Sequence, residues 1–138
     1  MSDAQIIWGG NYFDLPPTRC FIVWRKTNIP LKGFTMAPVE YAWTSFNRNA
    51  ALFEFSSSGT AKSPRFHPTQ KPVELYEWQL ANFAERGMRI LDTHAGSASL
   101  GVACWRLGFD YTGYEVNEIY YRLANERLET EMRQATLF

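Results

Sequence analysis

Residues 89–133 alternate between strand-like and helix-like segments, and their order leaves few possible folds. Apolar runs of four or five residues predict strands, whereas longer stretches with apolar residues three or four positions apart predict helices. In chain order the segments are a strand (89–92), a small-residue loop (94–99), a helix (100–107), a strand (111–115) and a charged helix (118–133). Such a βαβ unit implies a parallel sheet with helices packed on it.

The residues before this unit predict further strands and one more helix. Short apolar runs predict strands at 6–8, 20–24, 41–46 and 51–55. The run at 20–24 (Cys-Phe-Ile-Val-Trp) is continuous, which favours an interior strand buried on both faces. From Pro72 the spacing becomes helical, and Gly87 suits the C-terminal cap of that helix. The chain therefore belongs to the α/β class.

Length and composition indicate one domain of ordinary globular character. The 138 residues are 46% hydrophobic and 20% charged, and we expect a single domain over residues 1–138. No apolar run approaches a membrane span, and the start lacks a basic, apolar leader, so we expect a cytoplasmic protein with no membrane partner. We interpret Cys20 and Cys104 as buried thiols, with a disulfide or metal pair as the alternative.

The net charge of zero hides an asymmetry between the two halves. Residues 1–72 hold eight Lys or Arg against four Asp or Glu, whereas residues 73–138 hold six Arg against ten acids. A basic half suits a phosphate backbone, which favours double-stranded DNA as a partner. Ordinary solvated surface charge explains the same count.

Two features of the βαβ unit suit a nucleotide-type ligand. The loop from Asp92 to Ser99 consists of small residues between a strand and a helix, which lets a ligand approach the backbone and the helix N-terminus. Glu115 ends the next strand, about 20 residues after this loop. In nucleotide-binding folds an acid at this position binds the ribose hydroxyls. A tight strand–helix turn and a surface glutamate are the alternatives, but together the two features favour a ribose-bearing cofactor.

The segment His67-Pro68-Thr69-Gln70-Lys71-Pro72 is the third informative motif. Two prolines stiffen a stretch that carries a hydroxyl, an amide and an ammonium group, and this set suits a carboxylate ligand. A proline-braced entry into the following helix is the structural alternative. The two histidines of the chain have no third ligand at a suitable spacing, so we expect no metal site.

In this order the motifs resemble the amino-group DNA methyltransferases of the beta motif order, in which the cofactor loop follows the target-binding motif. The resemblance rests on the His67–Pro72 block, Leu-Asp-x-x-x-Gly-Ser at 91–97 and Gly-Tyr-Glu at 113–115. The segments Gly-Gly-Asn-Tyr-Phe at 9–13 and Tyr-Ala-Trp-Thr-Ser-Phe at 41–46 are similar to small phage and prophage members. The resemblance covers nearly the whole chain.

The resemblance implies a Rossmann-like S-adenosylmethionine-dependent fold with a mostly parallel sheet, the target and DNA side at 1–66 and the cofactor part at 67–138. It also implies transfer of a methyl group from S-adenosylmethionine to a DNA base amino group within restriction-modification, with adenine favoured and cytosine as the alternative. The residues expected to contact the cofactor are His67, Thr69, Gln70, Lys71, Asp92, His94, Gly96, Ser97, Ser99 and Glu115. Tyr12, Phe13 and Trp43 are candidates for a base pocket, and Lys62 and Arg65 for DNA contacts.

Two departures from the family pattern affect these expectations. Thr93-His94 replace the common Pro-Phe, and Ala98 stands where a second glycine is common. The catalytic Asp-Pro-Pro-Tyr motif is missing, and Asp14-Leu15-Pro16-Pro17 has an inserted residue and no aromatic, so we assign no catalytic residue. We expect a fold that is incomplete at its N-terminal side, because Ile6–Trp8 matches the strand after the catalytic one.

Three further hypotheses follow from the missing motif. The strands at 6–8 and 89–92 would each lack a neighbour, so we expect them to pair directly or to receive a strand from another copy or from a complementing N-terminal segment. A second functional interpretation is a catalytically inactive cofactor-binding remnant. A nicotinamide-dependent dehydrogenase is a weaker rival, since the loop lacks Gly-x-Gly-x-x-Gly, and an RNA-methylating relative is another.

Overall fold

The computed structural model describes residues 2–60 and 65–136. Contacts divide the chain into two compact units, Met1–Ser57 and Ser58–Phe138. The boundary lies nine residues before the one that the resemblance implies between the target side and the cofactor part. Each unit has its own sheet, and each is described by itself below.

The first unit is a four-stranded sheet with the order β1-β3-β2-β4. β1 pairs antiparallel with β3, β3 pairs antiparallel with β2, and β2 pairs parallel with β4. A short 3₁₀ helix, Gly10–Tyr12, follows β1. The strands are β1 (Ile6–Trp8), β2 (Phe21–Lys26), β3 (Val39–Thr44) and β4 (Ala51–Phe55).

β2 is an interior strand, as its apolar run predicts, but its burial alternates. Ile22, Trp24 and Lys26 are buried, while the residues between them are half-buried. The expectation of burial on both faces is therefore wrong, because one face of this sheet has less cover than a parallel sheet between two helix layers would have. The buried Lys26 ammonium lies 2.7 Å from a Glu40 carboxylate oxygen and 5.2 Å from the Trp24 ring centroid, which compensates its burial.

The second unit contains the predicted βαβ arrangement. β5 and β6 pair in parallel, with Arg89 opposite Asp110 and Asp92 opposite Gly113. Apolar residues of α1 and α2 form its core, which is centred on Val73, Leu80 and Val102. The elements are α1 (Val73–Phe83), β5 (Arg89–Asp92), α2 (Ser99–Leu107), β6 (Asp110–Gly113) and α3 (Glu118–Ala135).

The two strands that the resemblance places beside the catalytic one each pair within their own unit. In residues 2–60 and 65–136, β1 pairs with β3 and β5 pairs with β6. Direct pairing of β1 with β5 and a strand supplied by another copy both stay predictions. No helix in the described ranges is long and apolar enough to cross a membrane.

Candidate cofactor-binding site

Backbone hydrogen bonds fasten the loop after β5 to the end of β6. The Tyr114 N–H donates to the Asp92 carbonyl over 2.8 Å, and the Ala95 N–H donates to the Tyr114 carbonyl over 2.8 Å. The residues that follow the two parallel strands therefore lie side by side. Open α/β sheets bind their ligands at this carboxyl edge.

Asp92 is the last residue of β5, and its carboxylate is half-buried. The His94 N–H donates to Oδ1 over 3.1 Å, and the Tyr111 hydroxyl donates to Oδ2 over 3.2 Å. Burial raises the pKa of this carboxyl above its usual range, although both hydrogen bonds oppose the shift. The exposed His94 ring places Nδ1 2.9 Å from the Thr93 hydroxyl.

Glu115 joins the end of β6 to the loop through its carboxylate. Oε1 accepts a hydrogen bond from the Asn117 N–H and Oε2 one from the Gly96 N–H, each over 2.9 Å. The bond from Asn117, with the one from Gly96, lowers the pKa of Glu115. Each carboxylate oxygen has a second lone pair. Glu115 can therefore accept two hydroxyl groups while it holds the loop.

The His67 imidazole lies against the same loop. Its ring centroid is 4.4 Å from that of Tyr120. A Cβ placed on Gly96 would come within 3.3 Å of His67 Cε1 and Nε2, and Gly96 has a φ of +53°. Glycine is favoured at position 96 on both counts, since its backbone is left-handed and its neighbour leaves little space.

The residues after His67 form a compact turn. The Thr69 N–H donates to His67 Nδ1 over 3.3 Å, and the Thr69 hydroxyl lies 3.2 Å from the same nitrogen. The Gln70 side-chain oxygen accepts from the Phe66 N–H over 3.2 Å, so Gln70 closes the turn. The half-buried Lys71 follows, directly before Pro72 and α1. The turn fixes the ring of His67 and brings this segment to the loop.

Ser97 and Ser99 point inward rather than along an open surface. Both are buried, and their hydroxyl oxygens are 3.1 Å apart. Arg127 Nη1 donates to the Ser97 carbonyl over 2.9 Å and to the Ser99 hydroxyl over 2.8 Å. These two hydroxyls are part of an internal network, and their contact with a ligand stays a prediction.

Ala98 adopts a left-handed conformation with a φ of 57°, and it caps the N-terminus of α2. Among the described non-glycine residues it alone has a positive φ. The sequence departure from glycine therefore falls on a position where glycine is favoured. The loop accommodates the methyl group in the interior, since Ala98 is 1% exposed.

A cavity of about 560 Å³ opens between α2, β6 and α3. Ala95, Ala98 and Glu115 line one end of it, which connects the cavity to the predicted site. Trp105, Phe109 and Met132 also line the cavity, but none of them belongs to the loop from Asp92 to Ser99. The end at Glu115 is the part that suits the expected ligand.

These features agree with a family match. The family model described as DNA methylase, for N6 and N4 methyltransferases, matches residues 23–126, which is more than half of the chain. The chain belongs to this family. The match confirms the family that the motifs resemble.

Individual relatives match over different lengths. The chain is 40% identical over 135 residues to the type II methyltransferase M2.DpnII of Streptococcus pneumoniae, covering 80% of this chain and 50% of that protein. It is 37% identical over 70 residues to the type II methyltransferase M.HpaI of Haemophilus parainfluenzae, covering 51% of this chain and 22% of that protein. The chain thus spans half, or less, of the length of these relatives.

A solved structure agrees with the fold. The crystal structure of an M1.HpyAVI complex with S-adenosylmethionine is 26% identical and superposes with a TM-score of 0.61, covering 78% of this chain and 60% of that one. The Rossmann-like methyltransferase fold, present in part, is thereby confirmed. S-adenosylmethionine is confirmed as the cofactor of the family.

The motifs did not identify every residue that shapes the candidate site. Arg127 and Tyr111 bind predicted site residues from α3 and β6, and Asn117 contacts Glu115. Asn117 had a local signal, since asparagine before a helix is a common N-cap. Arg127 had none, because its partners lie 28 and 30 residues away. The described part of the chain contains no cluster of three or more potential metal ligands.

Several expectations concern the first unit. Trp43 is buried, and its Nε1 donates to the Pro16 carbonyl over 2.7 Å, while its place in the lining of a base pocket stays a prediction. Tyr12 and Phe13 are 84% and 63% exposed, so they stay candidates. Lys26 is buried beside an acid, which removes it from the basic surface.

The two basic residues predicted to contact DNA have different outcomes. Lys62 lies outside the described residues. Arg65 is exposed, and it donates to the Pro68 carbonyl over 3.0 Å. Its place beside the His67 turn is consistent with a role near the cofactor segment, while its contact with DNA stays a prediction.

Proposed function

We propose that residues 58–138 bind S-adenosylmethionine and that the whole protein transfers its methyl group to an amino group of a base in double-stranded DNA. The observation that carries the proposal is the joint placement of Glu115, Gly96 and His67 around one loop. A paired acid beside a close-approach glycine suits the ribose of the cofactor. Family membership supplies the reaction class.

Each group at the loop has a distinct part in this proposal. Glu115 accepts the two ribose hydroxyls with its remaining lone pairs, and Gly96 lets the ligand lie close to the backbone. Asp92, which accepts hydrogen bonds from Tyr111 and the His94 N–H, keeps the strand end in place and offers negative charge to the cationic methionine end. Thr69 and Lys71 lie on the segment that would contact the methionine carboxylate.

The chemical step in this proposal needs alignment and no covalent enzyme intermediate. When bound, S-adenosylmethionine supplies an electrophilic methyl group. The protein would hold the flipped base with its amino nitrogen in line with that methyl group. The N–C bond would form as the S–C bond to the sulfonium breaks, the neutral thioether would leave, and one amino proton would pass to water. We place adenine before cytosine as the target, and restriction-modification as the setting.

A second candidate is a cofactor-binding chain without turnover. The sequence lacks Asp-Pro-Pro-Tyr, the motif that the resemblance assigns to the target amino group, and the chain covers only 50% of the Streptococcus relative. We therefore propose that turnover requires a segment that carries this motif, in the same chain or from a partner. The isolated 138 residues then bind the cofactor without methylating DNA.

Calorimetric titration with S-adenosylmethionine and with its demethylated product tests the cofactor site. We expect saturable binding by the unchanged protein and a loss of about tenfold or more in Glu115→Ala, which removes a charged acceptor of several hydrogen bonds. Glu118→Gln, an exposed acid in the first turn of α3, is the matched control and should bind normally. Absence of binding by the unchanged protein would refute the proposed cofactor site.

Methylation of unmodified plasmid DNA with labelled cofactor separates the two candidates. The 138-residue chain is assayed alone and with the half of the Streptococcus relative that it does not match, added in trans or fused. Turnover by the 138 residues alone supports the first candidate, whereas turnover that appears only with the added segment supports the second. Cofactor binding without turnover in either form supports the second candidate.

A further inference from the structure

Arg127 contacts the loop 95–99 at Ser97 and Ser99, next to the residue that Glu115 contacts. Its guanidinium donates through Nη1 to the carbonyl of Ser97 and to the hydroxyl of Ser99, over 2.9 and 2.8 Å. Ser99 is the first residue of α2, and Ser97 belongs to the loop. One side chain of α3 thus ties the loop to the beginning of the helix that follows it.

Without the contacts from Arg127, the backbone from Ser97 to Ser99 would have few interactions that hold its strained conformation. Ala98, between the two serines, is left-handed at a φ of 57°, a conformation that costs a non-glycine residue free energy. Its cap position offers no side-chain hydrogen bond to the first turn of α2. Strained residues persist where surrounding contacts hold them, and Arg127 supplies two of these contacts.

The surroundings of Arg127 make the contact a strong one. Its side chain is partly buried, and burial lowers the pKa of the guanidinium, with Glu131 opposing and Arg106 adding to the shift. Hydrogen bonds from a charged donor strengthen in such surroundings. Arg106 is itself bonded to Glu131 and Glu77, which keeps the charges in this region balanced.

The loop is therefore held at two points by one stretch of chain. Glu115 binds the Gly96 N–H directly before α3 begins, and Arg127 binds Ser97 and Ser99 further along α3. A displacement of α3 would move both points together. The loop carries the backbone groups that we propose face the cofactor.

We propose that Arg127 is a positioning residue that holds the loop 95–99 in the conformation that binds S-adenosylmethionine, without touching the cofactor itself. This inference rests on the proposed function for its ligand, but its effect on the ligand-free loop does not. Arg127 acts on Ser97 and Ser99, and these residues set the backbone between Gly96 and α2.

The test compares Arg127→Met and Arg127→Lys with Arg122→Met, an exposed arginine on the same helix. Amide hydrogen exchange on the ligand-free protein should become faster at 95–99 in Arg127→Met, while β5 and α1 keep their protection. Affinity for S-adenosylmethionine should fall about tenfold, as expected for the loss of a charged hydrogen bond. The exchange rate and the affinity of Arg127→Lys should lie between those of Arg127→Met and Arg122→Met, since lysine keeps the charge but loses the planar donor geometry.

A double-mutant cycle tests whether Ser99 is the residue through which Arg127 acts. It uses Arg127→Lys, so it can be measured even if Arg127→Met does not fold. Ser99→Ala should weaken cofactor affinity, and adding Arg127→Lys should cost less than in the unchanged background. The inference is overturned if loop exchange in the Arg127 variants equals that in Arg122→Met, or if protection falls uniformly over residues 65–136. If the unchanged protein does not bind the cofactor, the proposed function fails, while the exchange result still decides whether Arg127 holds the loop.

Discussion

Ala98 illustrates how one methyl group in the wrong backbone region affects a site. Its left-handed φ of 57° costs roughly 1 kcal/mol relative to glycine. We expect Ala98→Gly to raise the free energy of unfolding by roughly 0.5 kcal/mol, because relief of strain exceeds the added entropy of the unfolded chain. Urea denaturation measures this change.

A control for this substitution lies in α2, the helix that Ala98 caps. Ala103 is buried within α2, where glycine has no conformational advantage. Ala103→Gly should lower the free energy of unfolding by roughly 1 kcal/mol or more. Equal losses in both variants would contradict the view that Ala98 is strained.

Asp92 links the site to the pH dependence of stability. Burial raises its pKa in the folded protein, so its contribution to stability is present below the unfolded pKa and is lost as pH rises through the folded pKa. We expect Asp92→Asn to be more stable than the unchanged protein at about pH 8, with a difference that shrinks toward about pH 4. Thermal unfolding across this range measures it.

The exposed Asp110, at the start of β6, provides a comparison for Asp92. Asp110→Asn should change stability little at any pH, since its side chain remains in water. A gain from Asp92→Asn that persists unchanged at low pH would argue against burial of the charge as its cause. Weaker cofactor binding by Asp92→Asn would mean that the Asp92 carboxylate lowers the stability of the protein but contributes to its function.

At the scale of elements, α3 depends on its first residues. The Asn117 side-chain oxygen accepts hydrogen bonds from the N–H groups of Ile119 and Tyr120, over 3.0 and 3.1 Å. Asn117→Ala should lower the free energy of unfolding by about 1 kcal/mol, whereas Asn117→Asp should keep the cap. Chemical denaturation followed by circular dichroism compares the two. Equal stability of both variants would mean that the cap contributes little.

The elements themselves were largely predictable from local pattern. β1, β4 and β5 have the expected bounds, because short apolar runs between turn residues identify strands well. The second strand of the βαβ unit was expected at 111–115, but β6 ends at Gly113. Glu115 lies beyond that end, and its carboxylate holds the backbone of the loop.

Contacts between distant residues were not predictable from the same patterns. The Arg127 contacts to Ser97 and Ser99 depend on how α3 packs, which no local spacing encodes. The inward direction of the two serine hydroxyls follows from that packing. The motif placed these residues in the correct loop, while the structure is needed to tell which face of the loop they form.

At the scale of the whole molecule, each unit contains one buried thiol: Cys20 in the first and Cys104 in the second. Burial raises the pKa of Cys104 to about 12 from 9.0. This change lowers its thiolate fraction on the order of a thousandfold. We expect the folded protein to react slowly with a thiol reagent and the unfolded protein to react at both positions.

Each of the variants Cys20→Ala and Cys104→Ala keeps a single thiol, so its reaction with the thiol reagent measures the exposure of one unit only. Labelling rates across a series of denaturant concentrations then follow the opening of one unit at a time. Coinciding transitions would mean that the units unfold together. Rapid labelling of either variant in the absence of denaturant would contradict the burial of its remaining thiol.

The strand order of the first unit has a consequence for the chain during its synthesis. β1 and β2 follow each other along the sequence, but neither is the other's neighbour, since both pair with β3. Two apolar segments therefore leave the ribosome before residues 39–44 provide the strand that they share. During this interval neither segment has its native partner strand, so both stay exposed to chaperones that bind apolar segments of nascent chains.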